Sequence, residues 1–210
     1  MHDDHHDNPH APPTPDHPMT EFERRVDAVQ ILLIEKGLIT ADEVRRAVEE
    51  MDYRSPALGA KVIARAWVDP AFKSRLLANA KSAILELGID VGELVTIVAV
   101  ENTEKVHHAV VCTLCSCYPR GLLGYPPDWY KSLNYRSRVV VDPRGVLKEF
   151  GLQLPPNVEV RVLDSTADMR YLVIPARPAG TDGMSEEELA GLITRDSMIG
   201  VAQARTPATR

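Results

Sequence analysis

The chain has 210 residues, 44% of them hydrophobic and 26% charged, with a formal net charge of −6. That length can bury one sizeable core, or one core with an appended arm, and the composition is an ordinary globular mixture. The negative balance argues against a nucleic-acid polyanion as the main partner, and no apolar run approaches the roughly 20 residues that span a bilayer.

Residues 1–19 hold five of the seven histidines together with Asp3, Asp4, Asp7, Asp16 and a run of prolines. Such a segment has little apolar surface to bury and is expected to be a disordered leader. It reads either as loose metal capture or as a tail without a role. It lacks the apolar stretch of a secretory signal, so a cytoplasmic location is expected.

A helical arm is expected over residues 20–88. Thr20 and Glu23 have capping-box spacing, and Phe22, Val26, Val29 and Leu33 mark one apolar face up to Gly37. Such a face suits a partner chain as well as an internal core. Thr40 and Glu43 open a second helix with Val44, Ala47, Val48 and Met51. Pro56 starts a third, running to Trp67. Asp69-Pro70 starts a fourth, with Phe72, Leu76, Ala80, Ile84 and Leu87 inward and Gly88 ending it.

From residue 89 the character changes to mixed helix and strand, the expected extent of a second domain being 89–205. Leu94–Val100 and Val106–Val111 read as strands rich in β-branched residues. Asp142-Pro143 caps a short helix to Phe150. Val158–Leu163 and Tyr171–Ile174 read as strands, Ser185 with Glu188 boxes a helix, and Met198–Ala202 reads as a last short strand. The expected class is α+β: a helical arm, then a layered α/β/β/α domain.

All three cysteines lie within Cys112-Thr113-Leu114-Cys115-Ser116-Cys117, directly after the second strand. They are too few and too close for a disulfide framework, and clustered thiols point first to a metal. The Cys-x-x-Cys-x-Cys spacing lets three sulfurs converge on one loop. The one-residue gap brings the amide nitrogens of Ser116 and Cys117 beside the ion. Those five donors leave one octahedral position open for water or substrate. From the spacing alone, zinc or an iron–sulfur cluster stays open, as does a non-catalytic scaffold. A closed zinc site needs a fourth ligand, for which only His107 or His108 is at hand. Adjacent strand residues face opposite ways, so at most one of the two is expected to face the core.

The surroundings carry more. Val110 to Pro119, Leu123-Gly124-Tyr125-Pro126-Pro127-Asp128-Trp129-Tyr130-Lys131, Tyr135-Arg136-Ser137-Arg138, Asp142 to Leu147, Arg170 to Pro175 and Arg177 to Thr181 closely resemble the nitrile hydratase alpha-subunit family. The resemblance extends from about residue 21 to 203, and that family shares its fold and motif with the gamma subunit of thiocyanate hydrolase. It implies metal ligation by Cys112, Cys115, Ser116 and Cys117. Cys115 would become a sulfinic acid and Cys117 a sulfenic acid, while Cys112 stays a thiolate. Thr113 resembles the cobalt branch, so Co(III) is favoured over Fe(III). Implied partners are a beta subunit supplying arginines to the oxidised sulfurs, and a metal-insertion activator. The implied reaction is hydration of a nitrile to an amide, with the Cys117 sulfenate oxygen as nucleophile or general base.

The chain departs from the family at two places. Arg120-Gly121 stand where nitrile hydratases usually have Trp-Pro. Arg120 resembles thiocyanate hydrolase and would suit an anionic substrate, unless it is only a surface turn residue. Ile89-Asp90-Val91-Gly92 replaces a Gly-Pro-Gln-Gly-like loop whose glutamine supports the site. Elsewhere, Tyr125, Trp129 and Tyr130 read as loop anchors before pocket walls, and Asp128 and Asp142 as turn and cap residues. Arg136 and Arg138, as alternating residues of an extended segment, would share one face, either bracing the metal loop or a subunit contact or forming a solvated basic stripe.

Overall fold

The computed structural model describes residues 18–92 and 95–207; the leader as far as residue 17, and Leu94, lie outside them. By packing, the chain divides into two compact units, Met1–Glu49 and Glu50–Arg210. In the first, α1 (Glu21–Glu35) is opened by the reciprocal Thr20–Glu23 capping box and buries no residue of its own. Phe22, Val26 and Val29 stay exposed. A second Thr40–Glu43 box opens α2 (Ala41–Tyr53), whose last turn belongs to the second unit.

The second unit begins its core with α3 (Pro56–Val68), which buries Val62, Ile63 and Ala66. The expected fourth helix is two helices, α4 (Pro70–Ala78) and α5 (Ala80–Glu86). Asn79 breaks the run: its backbone turns extended and its side chain accepts from Ser82 N, capping a new helix. The helices pack on β1 (Thr96–Glu101), which pairs in parallel with β4 (Met169–Ile174). β2 (Val106–Val111) pairs in parallel with β3 (Glu159–Asp164), Val111 opposite Asp164. β2 also packs against β4, and α9 (Pro143–Glu149) closes the far side of β3. The α+β class and helix–strand–strand–helix layering thus hold.

Between β2 and α9 lie three short helices, α6 (Arg120–Leu123), α7 (Asp128–Lys131) and α8 (Leu133–Arg138). Arg136 and Arg138 are therefore helical and do not share an extended face. Ser132 accepts from Tyr135 N and starts the helix that the spacing alone did not reveal. Two more helices follow β4, α10 (Glu186–Ala190), with its Ser185–Glu188 box, and α11 (Arg195–Ile199). The segment read as a last strand is the end of α11. Thr194 and Ser197 box its start, and Gly200 at φ 83° ends it in the left-handed region. Among the described residues no helix is long and apolar enough to cross a membrane.

Candidate metal centre

β2 is buried along most of its length because both of its faces are covered, and Ala109, Val110, Val111 and Cys112 are fully buried. The chain leaves the core immediately after Cys112, so Thr113, Leu114 and Cys115 are exposed, while Ser116 and Cys117 are half-buried. Asp164 at the end of β3 turns this corner. Its carboxylate accepts from Thr113 N (2.9 Å) and Thr113 Oγ1 (2.5 Å). Arg136 supports the same turn from behind, donating through Nε to Cys112 O (3.0 Å) and through Nη2 to Thr113 O (2.7 Å). Tyr130 holds the other end, its hydroxyl donating to Cys117 O at 2.8 Å.

Held at both ends, the loop gathers its sulfurs. Cys112 Sγ lies 3.3 Å from Cys115 Sγ, and Cys115 Sγ lies 3.2 Å from Cys117 Sγ. Cys115 N donates to Cys112 Sγ, and the amides of Cys117 and Ser116 face the Cys115 sulfur. A metal–thiolate bond of about 2.3 Å puts two cis sulfurs of an octahedron about 3.3 Å apart, and two of a tetrahedron about 3.8 Å apart. The observed spacing fits the octahedral edge. With the amides on the same side, the donor set suits a six-coordinate ion better than structural zinc.

The electrostatics agree with a shared anionic site. Hydrogen bonds from Cys117 and Cys112 pull the Cys115 thiol down to about 7, whereas burial, with Cys115 beside it, pushes Cys117 up to about 12. One thiolate is thus held by its neighbours. Burial raises the hydroxyls of Tyr118, Tyr130 and Tyr135, which keeps Tyr130 a donor.

Neither histidine joins the cluster; among the described residues only Cys112, Cys115 and Cys117 group as metal-ligand side chains. Contrary to the alternation argument, both are buried, because the strand is covered on both faces. His107 Nε2 bonds Gly200 O at 2.7 Å and its Nδ1 meets Asn102 Nδ2; His108 engages Asn102 Oδ1. Trp129 and Tyr130 pack in an aromatic cluster with Tyr135 and anchor the loop, whereas Tyr125 is exposed. Asp128 pairs with Lys131, and Asp142 caps α9.

A cavity of about 340 Å³ opens over Cys115, Ser116 and Cys117, and Arg54, Arg120 and Arg170 contribute to its wall. Arg120 is exposed there, Arg54 pairs with Glu50, and Arg170 is tied to the carbonyls of Thr166 and Met169. Sequence reasoning missed the contributions of Arg54, Asp164 and Arg170 to the site. Asp164 has no local signal, since β-sheet register brings it to Thr113 across 51 residues, and Arg170 opens a family-like segment whose spacing does not place it at the cavity.

Residues 20–202 match the family described as nitrile hydratase, alpha chain. The alpha subunit of the high-molecular weight cobalt-containing nitrile hydratase of Rhodococcus rhodochrous is 55% identical over 90% of this chain and 94% of its own. The chain belongs to the nitrile hydratase alpha-chain family. The gamma subunit of thiocyanate hydrolase from Thiobacillus thioparus is 42% identical over 88% of this chain and 80% of its own. A histidine double mutant of the Fe-type nitrile hydratase of Comamonas testosteroni Ni1 superposes with a TM-score of 0.83, at 43% identity over 90% of this chain and 95% of that one. Within this nitrile hydratase-type fold, the Ile89–Gly92 segment still abuts the site. Val91 lines the cavity over the three-sulfur loop Cys112–Cys117, the claw, and lies where a Cβ on Gly121 would touch it, at 3.0 Å.

Proposed function

We propose that this chain is the metal-binding subunit of a hydro-lyase that hydrates a nitrile to an amide. Family membership sets the class, and the sulfur spacing at the end of β2 carries the assignment of the centre. Cys112, Cys115 and Cys117 hold the ion through sulfur, and Ser116 and Cys117 through their amides. Cobalt is favoured because curated relatives above 50% identity are named cobalt-containing, and iron is the second choice. A bound trivalent ion supplies Lewis acidity, polarising the substrate and acidifying water. Cys115 as a sulfinate and Cys117 as a sulfenate place fixed oxygens on the cavity floor. The Cys117 oxygen would take a proton from the water that adds to the nitrile carbon and pass it to the nitrile nitrogen, or would itself add to that carbon and be restored by water attacking the sulfur. Oxidised sulfurs are anionic and call for close cations. Arg170 provides one from within the chain, and a beta subunit supplies further arginines. An activator protein delivers the metal, and the cytoplasm, where thiols stay reduced until loaded, is the compartment that suits this maturation.

A second reading, thiocyanate hydrolysis as a gamma-type subunit, is favoured by one observation: Arg120 stands in the cavity wall, where it could attract an anion. A zinc scaffold is disfavoured by the short sulfur edges. The test is metal analysis and peptide mass spectrometry on protein purified with its partner. About one cobalt or iron per chain is expected, with two added oxygens on Cys115 and one on Cys117. Zinc on three unmodified thiols, reproduced in protein matured with its activator, would overturn the hydratase reading. Arg120→Trp separates the substrates: loss of thiocyanate turnover alone favours the second reading, and indifference removes it.

A further inference from the structure

Besides Arg136 at the first turn, one neutral side chain fixes the far end of the claw. Tyr130 is fully buried, and its hydroxyl donates to Cys117 O at 2.8 Å. The acceptor belongs to the peptide that leaves the claw, so this bond sets the rotation of Cys117 about its own Cα. Beside the Tyr130 oxygen lies the hydroxyl of Ser165, itself buried and without a hydrogen-bond partner. Ser165 is fixed in place, because its amide donates to Val111 O at 2.7 Å, one residue before Cys112. Turned toward the Tyr130 oxygen, the Ser165 hydroxyl would donate to it and strengthen the bond that oxygen's own proton makes.

We infer that Tyr130, backed by Ser165, is a positioning residue for Cys117: it holds the third sulfur of the claw at bonding distance from the ion through the Cys117 carbonyl. The inference rests on the hydratase reading of the site. The competing account makes Tyr130 a core anchor only, since its ring packs edge-on to Tyr118 at 5.1 Å and to Trp129 at 5.9 Å. Tyr135 provides the matched control. It sits in the same aromatic cluster, and its buried hydroxyl donates at 2.7 Å to Val110 O, on the strand and not in the claw.

The experiment compares Tyr130→Phe, Ser165→Ala and Tyr135→Phe in the holoenzyme purified with its partner subunit. The readouts are thermal midpoint, metal loss to a chelator and the sulfur-to-metal charge-transfer band. Expected for Tyr130→Phe is about tenfold faster metal loss, the scale of one forfeited buried hydrogen bond, with a displaced band. Ser165→Ala should move both in the same direction by less. Tyr135→Phe should lower the thermal midpoint comparably and leave band and metal loss unchanged. If Tyr130→Phe and Tyr135→Phe behave alike in all three, Tyr130 is an anchor and the inference is wrong. Should Tyr130→Phe fail to fold, Ser165→Ala decides on the same readouts. If the wild type itself shows no trivalent metal and no band, the hydratase reading has failed. The alkylation rate of Cys117 in metal-free protein then decides positioning, faster in Tyr130→Phe than in Tyr135→Phe if it holds and equal if it does not.

Discussion

Arg136 shows what a single side chain contributes to the claw. Its planar fork satisfies the successive carbonyls of Cys112 and Thr113, at 3.0 and 2.7 Å, a geometry a lysine's single ammonium cannot reproduce. Arg136→Lys is expected to leave one carbonyl poorly paired at a cost of about 1–3 kcal/mol, and to speed chelator-driven metal loss. Arg138→Lys, which alters an exposed pair with Glu149 and a long bond to Asn134 Oδ1, should change stability by less than about 1 kcal/mol and leave metal retention as it was. The contrast also marks what was legible. The three cysteines and their spacing could be read directly, because the donors lie within six residues. The clamp could not, since Thr113 meets Asp164 and Cys112 meets Arg136 only through the fold. Arg136 braces the loop from a helix started by Ser132, a geometry that the alternating spacing of Arg136 and Arg138 does not foretell.

At the scale of elements, capping chemistry was more informative than hydrophobic runs. The boxes at Thr20, Thr40 and Ser185 sit where the spacing placed them, as does the Asp142 cap. Short apolar stretches misled twice. Phe72 to Leu87 keeps helical spacing through a break that only Asn79 betrays, and Met198-Ile199 is too brief to distinguish a strand from a helical turn. Gly200 settles the second case. Its φ is 83°, and a Cβ there would be driven into His108 O on β2. Both strain and overlap oppose a side chain, so Gly200→Ala is expected to cost on the order of 3 kcal/mol in chemical denaturation of the chain. A change within about 0.5 kcal/mol would mean that the approach of α11 to β2 is loose.

Two properties of the whole molecule follow from what is buried and what is not. His107 and His108 are both shifted down, chiefly by burial, with Arg161 adding to the effect on His108. Their unfolded value is about 6.5, so the unfolded chain binds more protons just below it. The contribution of neutral, buried histidines is therefore complete above about pH 6.5 and is lost as pH falls toward the depressed folded values. Unfolding free energies measured from pH 7.5 to 5 should decline, with a slope of at most about 1.4 kcal/mol per pH unit for each histidine. His107→Gln and His108→Gln should each flatten part of it. The second property is the bare apolar face of α1, with Val26 and Val29 half exposed or more. Val26→Glu with Val29→Glu should leave the unfolding midpoint of the isolated chain unchanged. The same pair should prevent co-purification with the beta partner. An unaltered complex would mean that this face docks elsewhere.

The parallel pairing of β2 with β3 also dictates an order of events during synthesis. Thr113 is translated 51 residues before the carboxylate that turns its corner, and β4, which packs against β2, follows later still. Long-range parallel pairing forms slowly, since the loop between the strands must close before any contact rewards it. As the nascent chain emerges, Cys112, Cys115 and Cys117 are therefore ordinary, independent thiols. They acquire their common spacing only once residues beyond 164 have left the ribosome. Ion selectivity is in this sense a late property of the chain, and a metal met too early encounters three unrelated cysteines.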